Sequence, residues 1–133
     1  MVVHTWGFVP SKPDSPWIKV ELRAESGAVL RVSGIPYAAA LASLARIRSA
    51  LQGMNVRWPG KSLTLHVHPA LGTSEMTGLD VPVALAILAI QGKFLPKKLS
   101  GLVSHGMLGL DGETSNPEPL STHCSNRSLP PSL

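Results

Sequence analysis

Gly78-Leu79-Asp80-Val81-Pro82-Val83-Ala84-Leu85-Ala86-Ile87-Leu88-Ala89-Ile90-Gln91-Gly92 is the stretch around which the chain is built. It predicts one short helix with both ends marked. Asp80 is placed to accept the free N–H groups of the first turn, where the helix dipole favours negative charge. Pro82 belongs in that turn, where its missing N–H costs nothing, and Gly92 is a natural stop. Between Val81 and Ile90 no side chain is polar, so every face of the helix must be buried. Its ten or so residues rise only about 15 Å, half a bilayer core. It is therefore a core helix, with the rest of the chain wrapped around it.

Upstream of this helix, Ser62 to His68 alternates, with Leu63, Leu65 and Val67 on one face and Thr64, His66 and His68 on the other. Between this strand and the core helix, Pro69 to Gly78 reads as a loop of small residues. Earlier still, Tyr37, Leu41, Leu44, Ile47 and Leu51 recur at spacings of three and four. This is an amphipathic helix, opened by Ser33-Gly34-Ile35-Pro36 and closed by Gly53. Ser43, Arg46, Ser49 and Gln52 fall outside that stripe, on the surface. Trp17 to Ala24 alternates almost strictly and predicts a half-buried strand. Glu25-Ser26-Gly27 reads as a tight turn, with Ala28 to Val32 as the hairpin partner. Val2 to Val9 suits a first strand, and Pro10 to Pro16 has the composition of a turn or loop.

Downstream, Leu95 to Lys98 is a connector, and Leu99 to Leu110 holds one or two short glycine-broken strands. From Thr114 the pattern stops. Residues 1–113 form the expected domain, and 114–133 a disordered tail unable to offset its ordering entropy by burial. The domain reads as cut off in mid-pattern, as in a truncated product.

At 133 residues the chain is one domain by length, and 44% hydrophobic residues are enough for a core. Twelve Lys+Arg against eight Asp+Glu leave +4, but the cations are spread along the chain, the usual pattern of a solvated surface. Cys124 is the single cysteine, so no internal disulfide can form. No signal peptide and no membrane-spanning stretch is visible, and the expected location is cytoplasmic.

Motifs for chemistry are sparse. Gly60-Lys61-Ser62 lacks the earlier glycine of a phosphate loop, where Asn55 stands, and Ser62 begins a strand rather than a helix. His66 and His68 share a strand face, as two metal ligands could, but no third ligand is near in sequence. Asp111 and Glu113 sit on a glycine-bounded turn and read as solvated carboxylates. His123-Cys124 lies in the irregular tail. These residues define no catalytic, cofactor or metal site.

Several stretches together resemble a known family. Gly34-Ile35-Pro36 followed by Arg46-Ile47-Arg48-Ser49-Ala50-Leu51 is similar to the GLP(D)…RVRAAL signature of the magnesium-chelatase-like AAA+ ATPases of the ComM/YifB type. Pro69-Ala70 resembles part of that family's NLAPAD, Asp80 to Ala89 its DLPIALGILAA, and Gly106 to Glu113 its GELALDGE. The resemblance covers residues 1–113 and implies the family's N-terminal domain, related to the proteolytic domain of Lon. It implies an α+β fold, a mixed sheet covered by two main helices.

In Lon-type proteases a serine follows an Asp-x-Pro triplet at the mouth of the core helix, and the matching position is Val83. The loose match to their lysine is Ser121. Valine offers no nucleophile, so the resemblance implies a relative that is not an enzyme. The chain departs from its closer family at Tyr37, at Gly72-Thr73-Ser74-Glu75, and in lacking the ATPase module. The family's link to DNA unwinding in competence depends on that module. The expected role is a non-catalytic assembly or partner-binding domain, with a protein partner or self-association, no cofactor and no membrane. The alternatives are a vestigial nucleic-acid binder using an Arg46/Arg48 face, or a truncated product with no function of its own.

Overall fold

The computed structural model describes residues 1–10, 17–93, 95–99 and 101–115. Alternation sets the sheet. Strand β1 runs over Val2–Phe8, β2 over Trp17–Glu25, and β2 buries Ile18, Val20, Leu22 and Ala24. Both flanks of β2 are antiparallel: β1 on one side and β4 (Ser62–His68) on the other. The buried residues of β4 are Leu63, Leu65 and Val67, as the period of two requires.

The short strand β3 (Leu30–Ser33) is not the hairpin partner of β2 that the turn at Glu25-Ser26-Gly27 suggested. It pairs parallel with β4, and β4 lies between it and β2. The crossover is the reason. A helix directly after β3, α1 (Tyr37–Gly53), carries the chain back over the sheet, so the next strand enters parallel to β3. Val29 is pinned to the start of β4 by two bonds: its N–H donates to Ser62 Oγ at 2.8 Å and its carbonyl accepts from Leu63 N–H at 2.9 Å. The bend from β3 into α1 needs Gly34, which sits at φ +85°, and a Cβ there would collide with the Val67 carbonyl.

Helix α1 is turned from its expected orientation. Its buried face is Ala39, Ala40, Ser43, Leu44, Ile47, Ala50 and Leu51, whereas Tyr37 and Leu41 are 54% and 45% exposed. Small residues face inward because α1 packs against a second helix as well as the sheet. That helix, α3 (Asp80–Ile90), comes after a one-turn helix α2 (Thr73–Met76) formed inside the stretch expected to be loop. Gly92 does stop α3, at φ +75°.

Burial of α3 is asymmetric rather than complete. Pro82, Val83, Ala84, Ala86, Ile87 and Ala89 are buried, while Val81, Leu85, Leu88 and Ile90 are half-buried. Beyond a 3-10 turn at Pro96–Leu99, β5 (Val103–Ser104) adds parallel to β1. The sheet order is β3-β4-β2-β1-β5, a mixed sheet with helices, hence α+β as expected. Strand β6 (Met107–Leu108) pairs antiparallel with β7 (Thr114–Ser115), so ordered pairing continues two residues into the expected tail. The rest of that tail, and the Pro10–Pro16 loop beyond Pro10, lie outside the described residues.

Candidate functional site

The mouth of α3 is where family resemblance puts the proteolytic nucleophile. Leu79, not Asp80, is the N-cap residue, and the Asp80 carboxylate does not cap the helix as its position suggested. It turns inward and is 0% exposed. Oδ1 accepts from Ser43 Oγ at 2.5 Å and Arg46 Nη2 at 2.9 Å. Oδ2 accepts from Arg46 Nε at 2.7 Å and the Leu108 N–H at 3.0 Å.

Packing explains the difference. Once α1 lies against α3, a carboxylate at Asp80 is cut off from water and must find strong donors, which a forked guanidinium supplies. Ser43 and Arg46 stand three apart on α1 and so present both donors to one point. They are therefore not the surface residues that the helical stripe implied; the Arg46 side chain is 22% exposed. The hydrogen bond with Asp80 raises the Arg46 pKa above its ordinary value; burial opposes this and the carboxylate charge adds to it.

The joint ties together α1, α3 and β6. Around it, Thr5 Oγ1 donates to the Pro82 carbonyl at 3.0 Å, and Gly106 N–H donates to the Gly78 carbonyl at 2.8 Å. Gly7 lets β1 approach closely: a Cβ there would strike Leu79 and crowd Pro82. Val83, one residue after Pro82, is fully buried. With four donors on two oxygens, the Asp80 carboxylate holds α1, α3 and β6 together. Ser121 lies outside the described residues.

The other sequence candidates are placed apart. His66 and His68 stack with ring centroids 6.5 Å apart, and His66 Nδ1 shares a 2.6 Å hydrogen bond with Ser33 Oγ. No group of three or more His, Cys, Asp or Glu stands ready to hold a metal among the described residues. Asp111 Oδ1 accepts the Glu113 N–H at 3.0 Å, closing an exposed turn that Ser49 Oγ fastens to α1 through the Leu110 carbonyl at 2.7 Å. Arg46 and Arg48 do not form one basic face. Arg46 is spent on Asp80, and the Arg48 guanidinium lies 5.6 Å from the centre of the Trp58 ring.

An open groove lies between α1 and β3, about 330 Å³ in volume. Leu30, Leu41, Leu44, Trp58 and Leu63 line it together with Val29, which is 51% exposed. Its charged residues are Arg48 and Lys61, both exposed. Sequence patterning did not reveal this groove. Tyr37 and Leu41 did appear in the apolar stripe, but a helical period cannot tell which part of a broad stripe the protein covers itself.

Comparison with known proteins agrees with the motifs. The family model for subunit ChlI of Mg-chelatase matches residues 18–124, and the chain belongs to this family. It is similar to the uncharacterised protein YifB of Escherichia coli (strain K12), 30% identical over 112 residues, covering 84% of this chain and 22% of that protein. YifB of Salmonella typhimurium is 28% identical over the same shares. An uncharacterised protein of Mycobacterium tuberculosis (strain H37Rv) is 31% identical over 100 residues, 74% of this chain and 20% of its own length. The chain thus spans about a fifth of the length of these relatives. No helix among the described residues is long and apolar enough to cross a membrane.

Proposed function

We propose that this chain is a non-catalytic assembly or partner-binding domain of the magnesium-chelatase-like family. The observation that carries the reading is the mouth of α3. Where Lon-type proteases bear a serine, the matching residue is a fully buried valine, one turn along α3 from the Asp80 carboxylate that Ser43 and Arg46 hold. A nucleophile needs a reactive atom, a base within hydrogen-bond reach and room for substrate; Val83 supplies no such atom. The apolar groove between α1 and β3 supports the binding half of the reading, since open apolar clefts with few charges are where partners dock. Incubating the full chain with ATP or with unfolded protein is expected to give no turnover. Hydrolysis that disappears on mutating a residue of this chain would overturn the reading.

A further inference from the structure

Resting on the partner-binding reading, the structure carries the character of the partner further. We propose that the groove receives an extended, acidic segment of another polypeptide. It adds as a strand outside β3 and inserts alternate apolar side chains between β3 and α1.

Three features converge on this edge. Strand β3 ends the five-stranded sheet, and no strand pairs with its outer side among the described residues. An unpaired edge presents backbone donors and acceptors that an incoming extended chain can satisfy. The opposite edge, β5, is only two residues long and offers little to pair with. The groove opens on the helix side at the start of β3, where Leu30 lines it after Val29, and exposed Val29 and Leu41 stand in its wall. Side chains at alternate positions of an added strand would point into it.

Charge chooses the partner. Arg31 on β3 and the groove cations Arg48 and Lys61 form no ion pair among the described residues, and no carboxylate lines the groove. A second copy of this chain fits poorly, because it also carries +4, and pairing two β3 edges would bring Arg31 close to its own counterpart. Acidic residues flanking the apolar ones complement all three cations, with outward carboxylates meeting Arg31 and terminal ones reaching Arg48 and Lys61.

The test is an NMR titration of the isotope-labelled full chain with a short capped peptide alternating glutamate and valine. Its control is the same peptide with lysine for glutamate. The acidic peptide should shift the amides of Val29 to Val32 and Leu41, and the Trp58 indole, with an affinity that falls as salt rises. The lysine peptide should bind roughly tenfold or more weaker through like-charge contact. The double variant Arg48→Glu, Lys61→Glu should reverse that preference, and Leu41→Glu should weaken both peptides. Equal response to the two peptides, shifts confined to another surface, or no shifts would overturn the proposal. So would concentration-dependent shifts at the groove without peptide, which would mark a second copy as the occupant. A negative result leaves the absence of turnover standing, so it separates this inference from the broader reading.

Discussion

Asp80 shows how far a single residue can be read from sequence. Its place at the head of an apolar run correctly marks the first turn of α3, but a capping role assumes solvent on the far side. Burial by α1 replaces that role with a buried ion pair, a partner 34 residues away that no local pattern contains. Removing one member of such a pair strands the other, so Asp80→Ala should destabilise the fold by about 3–5 kcal/mol in denaturant melts. Combining Asp80→Ala with Arg46→Met should cost less than the losses of those two single variants added. A strictly additive result would mean that the two side chains are not coupled. The raised Arg46 pKa gives this pair a definite pH sign. Arg46's contribution is fully present below arginine's ordinary titration and is lost only as pH rises through the raised value, in strong alkali.

Elements were legible where one period and one partner decide them. The strand β2, the strand β4, both main helices and the glycine stop of α3 follow from alternation, helical spacing and end signals. The placement of β3 was not legible, because a tight turn after β2 predicts a hairpin, and only the crossover through α1 makes β3 parallel to β4. Partial exposure on one flank of α3 was hidden too, since an all-apolar helix gives no direction to its burial. That flank changes which side chain matters most. Ile87, completely buried, should cost about 2–5 kcal/mol on truncation to alanine. Leu85 is half-buried at the edge of the core, so Leu85→Ala should cost clearly less than Ile87→Ala, although an all-buried helix would make the two similar. Thermal or denaturant melts of the two variants decide the order, and equal losses would place the core elsewhere.

For the whole molecule, family membership was readable from dispersed motifs, whereas the groove was not, because it belongs to a surface formed by α1, β3 and the segment around Trp58. Two regions of the molecule have opposite properties. The mouth of α3 is buried and hydrogen-bonded through Asp80, while β3 is an edge strand of the sheet beside an open groove. Regions that admit ligands tend to open at low free-energy cost, whereas core elements open only with global unfolding. Native-state amide hydrogen exchange reads both at once. Amides from Leu79 to Ala89 are expected to exchange among the slowest, at the cost of global unfolding, while those of β3 exchange through much cheaper local opening. Faster exchange at Leu79 to Val83 than along β3 would refute this assignment, because the mouth of α3 would then be the accessible site and the edge the closed one.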